Sequence, residues 1–167
     1  QFLSYAEIQR ILSELNQEIH WRQEQIKMYG KSFPVPRLTA WFGDDGMDYS
    51  YSGIKCNPLP WTRTLLSMKQ KIEALISGVI FNSVLLNKYR NGNDKVSWHS
   101  DDEMELGVNP VIASISLGAA RRFDLRHKDD FKNKIQLTLT NGSLIIMKGA
   151  LQHNWQHQIP VQKMISG

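Results

Sequence analysis

His99 and Asp101 are the side chains best suited to metal chemistry in this chain. If residues 96–101 form a β-strand, both side chains point to one face, because side chains alternate along a strand. A second histidine from a distant strand would complete the two-histidine, one-carboxylate set that non-haem Fe(II) oxygenases use. The spacing alone favours a surface histidine beside acidic loop residues, because His-x-Asp is common by chance.

The composition is that of a globular protein. The chain has 167 residues, of which 41% are hydrophobic, enough for one domain with a sizeable core. No apolar run reaches the roughly 18 residues that span a bilayer, so we expect no membrane association. Cys56 is the single cysteine, which excludes a disulfide framework and a thiolate zinc cluster and favours a reducing compartment.

The charge balance is compatible with a nucleic-acid partner. The net charge is +4 and the sequence pI is near 9.2. Arginine and lysine are mixed with aromatic residues in the first half, which suits a surface that holds phosphates and stacks on bases. Charge alone would also fit an ordinary basic protein.

The first third of the chain predicts one helix and two aromatic strands. Ser4 and Glu7 form a capping-box pattern before a helix over about residues 5–20. Residues 21–36 are predicted to be irregular, and residues 37–42 to form a strand. Tyr49 and Tyr51 alternate with polar residues. They could line a pocket for a flat ligand, or they could pack on a core.

The rest of the chain predicts a second helix and a series of short strands. Thr62 is placed to cap a helix over about residues 63–77. The Asn141-Gly142 pair is typical of a hairpin turn. Two helices followed by six or seven strands favour an α+β domain built on a β-sandwich or jelly roll. The predicted strands cover residues 84–89, 96–101, 111–117, 122–126, 135–139, 144–147 and 155–159.

Several short motifs follow one another along the chain. They are Pro36-Arg37, Tyr49-Ser50-Tyr51-Ser52-Gly53, Asn87-Lys88-Tyr89, His99-Ser100-Asp101-Asp102-Glu103, Ser116-Leu117-Gly118 with Arg121, Arg122 and Arg126, Asn141-Gly142-Ser143-Leu144, and Trp155-Gln156-His157. In this order they resemble the AlkB family of Fe(II)- and 2-oxoglutarate-dependent nucleic-acid dealkylases. The likeness spans roughly residues 28–162, and motifs in register are far more specific than His-x-Asp.

The resemblance implies a fold and an activity. The fold would be a double-stranded β-helix (jelly roll) with N-terminal helices packed on it, in a single domain over residues 1–167, with a nucleotide-recognition lid over about residues 21–56. The activity would be repair of DNA by oxidative demethylation of bases such as N1-methyladenine and N3-methylcytosine. It would use Fe(II), 2-oxoglutarate and O2 and release formaldehyde and succinate. The protein would be a monomer, cytoplasmic in a bacterium and nuclear in a eukaryote.

Three other functions stay open at this point. The chain could be an RNA or protein demethylase of the same family, or a small-molecule 2-oxoglutarate oxygenase. It could also be a non-catalytic, basic nucleic-acid-binding module whose His-Asp-His site is structural.

The resemblance also assigns roles to individual residues. His99, Asp101 and a later histidine would bind iron. Asn87 and Tyr89 would contact 2-oxoglutarate, and Glu103 would lie near the extruded base. The remaining implied substrate contacts are Tyr49 and Tyr51 in the lid, Tyr29 as a wedge that enters the base stack, and Arg37 as a phosphate contact. Tyr29 could instead pack beneath the first helix.

Two histidines compete for the third ligand position. His153 and His157 have the same parity, so strand alternation does not separate them. The family places the ligand shortly after a tryptophan and before an x-Pro segment. Trp155 and Pro160 fit that pattern around His157, which we therefore expect to be the ligand, with His153 in a loop.

The end of the sequence departs from the family pattern. The family continues with a strand that carries two arginines, one of which pairs with the 2-oxoglutarate carboxylate. The given sequence stops at Gly167, where that strand would begin. We expect this strand to be missing from the sequence through truncation, and cosubstrate binding to be weak without it.

Overall fold

The computed structural model describes residues 2–28, 30–46, 49–51 and 54–165. The chain divides into two compact units, Gln1–Leu12 with Tyr89–Gly167 and Ser13–Lys88, and the prediction of one domain stays a prediction. Helix α1 (Tyr5–Glu18) contributes residues to both units. Its predicted capping box is confirmed, since the Ser4 N–H and hydroxyl donate to Glu7 Oε2 at 2.8 and 2.7 Å.

The first unit contains six of the twelve strands found among the described residues. They are β7 (Val96–His99), β8 (Ile112–Ser116), β9 (Arg121–His127), β10 (Lys134–Leu139), β11 (Ser143–Met147) and β12 (Trp155–Ile159). A four-stranded antiparallel sheet has the order β10–β9–β12–β7. A second sheet pairs β11 with β8. Val96, Phe123, Leu125, Met147 and Ile159 belong to the hydrophobic core of this unit.

The turn at Asn141-Gly142 does not form the predicted hairpin. Gly142 has a positive φ of 75°, as a tight turn requires, but the strands on its two sides pair in different sheets. The turn therefore carries the chain from one sheet to the other. A Cβ at Gly142 would lie 2.5 Å from Ile8 Cδ1, so glycine also lets the N-terminal segment approach the turn closely.

The second unit contains helix α2 (Arg63–Glu73) and three antiparallel strand pairs. The predicted cap at Thr62 is confirmed, because its hydroxyl accepts from the Leu65 N–H at 3.3 Å. The longest pair joins β3 (Leu38–Gly43) and β6 (Ser83–Lys88), with Thr39 opposite Asn87. The paired strands are β1 (Gln25–Met28) with β2 (Lys31–Pro34), β3 (Leu38–Gly43) with β6 (Ser83–Lys88), and β4 (Tyr49–Tyr51) with β5 (Ile54–Cys56).

Two further local predictions were wrong. Residues 21–36 are not irregular, because they contain the β1–β2 hairpin, in which Met28 is paired with Lys31 and Gly30 has a φ of 74°. Ile135, Leu137 and Leu139 alternate with polar residues, which predicts a half-buried strand. In β10, which lies at the edge of its sheet, Ile135 and Leu137 are instead exposed. Within the described residues, no helix has the length and apolar character needed to cross a membrane.

Candidate metal centre

Two histidines meet on neighbouring strands of the four-stranded sheet. His99 is the last residue of β7, and His157 lies opposite it in β12. The ring centroids are 4.2 Å apart. Phe123 of β9 stacks on the His157 ring at a centroid distance of 5.3 Å, so the ring is held by sheet pairing and by an aromatic neighbour.

Asp101 completes the group, although not in the way the strand pattern predicted. The strand ends at His99, so Asp101 lies beyond it and the parity argument for residues 96–101 does not apply. The side chains nevertheless meet. Asp101 Oδ1 is 3.6 Å from His99 Nε2, and Asp101 Oδ2 is 3.4 Å from His157 Nε2.

Burial acts on the protonation states of two of these groups. Burial, with the charge of His99 as a smaller cause, lowers the pKa of His157 to about 3, so its imidazole is neutral near neutral pH. Burial raises the pKa of the Asp101 carboxyl, and the charge of His99 acts against that rise. A cation between these side chains would favour the carboxylate form of Asp101.

The donor atoms fit a divalent metal of the iron type. The ligand atoms of His99, Asp101 and His157 lie within 4.8 Å of one another. Two imidazoles and one carboxylate form a set with open positions for other ligands. The backbone carbonyl of Ser97 is 2.8 Å from His99 Nδ1, which places the proton there and leaves Nε2 as the metal-facing nitrogen.

The choice between His153 and His157 has a geometric basis. His153 is exposed in the short helix α3 (Leu151–Asn154). Among the described residues, the histidine that lies with His99 and Asp101 is His157. Only 5% of His157 is exposed. The geometry therefore favours His157 as the third ligand.

Glu103 lies close to this group in the chain and carries a buried polar atom. It precedes a 3₁₀ turn, Met104–Leu106, without capping it. Its Oε2 atom is buried and has no hydrogen-bond partner within the described structure. A buried carboxylate oxygen without a partner is costly, so a bound ligand that donates a hydrogen bond would stabilise it.

The predicted cosubstrate residues Asn87 and Tyr89 belong to different units, each with a basic neighbour. In the second unit, the Arg37 Nε donates to Asn87 Oδ1 at 2.7 Å. Arg37 is buried, so a contact with a phosphate would require its guanidinium to become more exposed. In the first unit, the Arg121 guanidinium lies 5.1 Å from the centre of the Tyr89 ring.

Three predicted substrate contacts lie wholly or partly outside the described residues. Tyr29 is outside them, although its hairpin is described on both sides. Tyr49 and Tyr51 are described in β4 only by their backbone, which confirms the predicted strand. Their contacts with a nucleotide stay predictions.

One contact near the metal-binding group could not be found in the sequence. Gln152 is almost fully buried, and its Oε1 accepts from the Asp101 N–H at 3.0 Å. These residues are 51 positions apart, and a glutamine in a short helix has no local pattern that marks it.

Comparison with known proteins agrees with this geometry. A family model described as "2OG-Fe(II) oxygenase superfamily" matches residues 1–166. The "Alpha-ketoglutarate-dependent dioxygenase alkB homolog 3" of Homo sapiens is 40% identical over 95% of this chain and 58% of that protein. The "DNA oxidative demethylase ALKBH2" of Mus musculus is 35% identical over 96% of this chain and 71% of that protein. The chain thus spans little more than half the length of its alkB homolog 3 relatives.

A solved structure shows the same fold. "The structure of OsALKBH1" matches 99% of this chain and 85% of that chain, with a TM-score of 0.63 and 14% sequence identity. It confirms the predicted fold class, a jelly roll with N-terminal helices.

Proposed function

Because the chain belongs to the 2OG-Fe(II) oxygenase superfamily, and within it to the AlkB family, we propose that it is a dioxygenase that demethylates N-alkylated bases in DNA. The observation that carries the proposal is the convergence of His99, Asp101 and His157. Such a set leaves coordination positions open for a cosubstrate and O2.

His99, Asp101 and His157 would hold Fe(II). When bound, iron with 2-oxoglutarate and O2 supplies the oxidation of a methyl C–H bond, which no side chain can perform. The products would be the unmodified base, formaldehyde, succinate and CO2. Asn87 and Tyr89 would contact 2-oxoglutarate.

The protein's own task is to place the methyl group and to keep water away from it. A base within a duplex cannot reach a buried centre, so it must leave the stack. Glu103 has a buried, unpartnered oxygen that would accept a hydrogen bond from an extruded base. Residues 21–56 would cover the nucleotide, with Tyr49 and Tyr51 against the base. A lesion that has lost its pairing costs less to extrude, which favours damaged bases.

Formaldehyde release tests the proposal. The full chain is incubated with an oligonucleotide that contains N1-methyladenine, with and without Fe(II) and 2-oxoglutarate. The 2-oxoglutarate is raised until the rate no longer increases, because we expect this chain to bind it weakly. We expect formaldehyde only when both are present, its loss in Asp101→Ala, and its retention in His153→Ala, the matched control on the exposed histidine. An RNA or protein substrate turned over in place of DNA would support a different member of the family. Oligonucleotide binding without formaldehyde would support a non-catalytic module.

A further inference from the structure

The sheet fixes two of the three candidate metal ligands but not the third. His99 and His157 are paired residues of β7 and β12. Asp101 is two residues beyond the end of β7, and no strand pairing fixes its backbone. Some other contact must therefore determine where its carboxylate lies.

The side chain of Gln152 makes such a contact. Its Oε1 accepts from the backbone N–H of Asp101 at 3.0 Å, while only 1% of the residue is exposed. Its Nε2 has the Met147 sulfur as its partner at 3.7 Å, and a thioether is a weak acceptor. A side chain needed only to fill this space would be apolar, because burying an amide is costly without good hydrogen bonds.

Two further contacts hold the residues on either side of Asp101. The Ser100 hydroxyl donates to the Trp155 carbonyl at 2.9 Å. The Lys128 ammonium donates to Asp102 Oδ2 at 3.2 Å and to the Gln152 carbonyl at 2.8 Å. Contacts from β12, from α3 and from Lys128, which follows β9, therefore reach residues 100, 101 and 102 respectively.

The segment that holds Asp101 also supplies a ligand. Helix α3 carries Gln152 and leads without a break into β12, which carries His157. Leu151 and Trp155 pack against the hydrophobic core on either side of Gln152, which anchors this segment. Any shift of α3 would move Gln152 and would thereby move the backbone of Asp101 relative to His157.

We propose that Gln152 is a positioning residue for the metal centre, and that its hydrogen bond to the Asp101 backbone places the carboxylate between His99 and His157. This inference rests on the proposed function only in taking these three residues as metal ligands. Residues that orient ligands from outside the coordination sphere change metal affinity without touching the metal.

The test measures metal binding with Co(II) as the probe, by titration and by its visible absorption bands, on the full chain. Gln152→Met has nearly the same length but lacks the amide oxygen. We expect it to bind Co(II) roughly 10–100-fold more weakly, with altered bands. Met147→Leu is the matched control, because it removes the other partner of the Gln152 amide and leaves the bond to Asp101. We expect it to bind Co(II) as the unsubstituted chain does.

Thermal unfolding in EDTA separates positioning from simple packing. We expect the two metal-free variants to lose similar amounts of stability. Unchanged Co(II) affinity and bands in Gln152→Met, or equal weakening in Met147→Leu, would overturn the inference. If the unsubstituted chain bound no Co(II), both the proposed function and this inference would fail. If it bound Co(II) and Gln152→Met bound it equally well, only the inference would fail.

Hydrogen exchange supplies a readout that needs no variant. In the unsubstituted, metal-free chain we expect the Asp101 amide to be protected, because Gln152 accepts its hydrogen bond within a buried segment. Exchange at the rate of an open loop would overturn the inference even if Gln152→Met failed to fold.

Discussion

His99 and His157 face each other across the antiparallel pair β7–β12, with their ring centroids 4.2 Å apart. Register alone therefore brings two imidazoles to one point of the sheet, although they are far apart in the sequence. Both lie near Asp101, which follows the end of β7, so the sheet supplies two of the three groups and a contact outside the sheet must place the third.

The first prediction separates the two candidate third ligands. His157→Ala should weaken Co(II) binding by more than the roughly 10–100-fold typical of changes outside the coordination sphere. His153→Ala should leave binding unchanged, because His153 is exposed in α3. Titration with Co(II) measures both. Weak binding in His153→Ala with normal binding in His157→Ala would reverse the assignment.

The second prediction concerns Glu103. Glu103→Gln should lower kcat/KM for a methylated oligonucleotide by about 10–100-fold, the equivalent of one hydrogen bond to a charged group. Turnover of 2-oxoglutarate without substrate should change much less, because the metal ligands stay in place. Glu105→Gln is the matched control, since Glu105 is exposed in the same 3₁₀ turn. A parallel loss of both activities would instead indicate that Glu103 supports the iron site.

The third prediction follows from Asp94, which is 5% exposed. The Arg90 Nε and Nη2 groups donate to its carboxylate at 2.8 and 2.9 Å. These bonds lower the pKa of Asp94. Asp94→Asn should lower the free energy of unfolding at pH 7 by about 1–3 kcal/mol, towards the lower end because the Arg90 side chain is partly hydrated.

The pH dependence of that loss has a definite sign. A carboxyl group with a lowered folded pKa contributes its stability above the unfolded pKa, near 3.9. That contribution disappears as the pH falls through the lower folded value. The difference between the unsubstituted chain and Asp94→Asn should therefore shrink below about pH 4. Urea unfolding in EDTA from pH 7 to 2.5 measures this, with the exposed Asp129→Asn as the control. A difference that stays constant with pH would contradict the role of the charge.

Much of the fold could be predicted where the signal is local. The predicted cap at Ser4 is confirmed, because its signal depends only on residues a few positions apart in the sequence. The Asn141-Gly142 turn shows the limit of this approach. Its sequence specifies a tight turn, but the partners of the flanking strands are chosen by core packing between distant segments.

The candidate site shows the same division. Strand alternation predicted that the side chains of His99 and Asp101 lie together. They do lie together, but for another reason, because the strand ends before Asp101. The Asp101 carboxylate is placed near His157 by the buried amide of Gln152, which is 51 residues from Asp101 in the sequence. No spacing rule reaches that far. Likewise, the burial of Arg37 against Asn87 depends on the pairing of β3 with β6, which the separate strand patterns did not specify.

The last prediction concerns how a duplex would be opened. Met28 and Lys31 are paired at the end of the β1–β2 hairpin, and Tyr29 and Gly30 lie between them in the sequence. All four residues of β2 are exposed, so this strand is not part of a core. An aromatic side chain at such a position would fill the gap left by an extruded base, as intercalating side chains do at kinked steps. A single strand has no such gap.

Tyr29→Ala should therefore lower kcat/KM on double-stranded DNA by the equivalent of about 1–3 kcal/mol, the value of one stacked base. The kcat/KM on single-stranded DNA should stay unchanged. Its free energy of unfolding should fall by less than the roughly 3–5 kcal/mol of a buried aromatic truncation. Phe33→Ala is the matched control, because Phe33 is an exposed aromatic residue on the same hairpin but lies away from its turn. If Phe33→Ala showed the same selective loss, hairpin stability rather than a wedge would explain the effect. Equal losses on both substrates, or a large loss of stability, would place Tyr29 in the core.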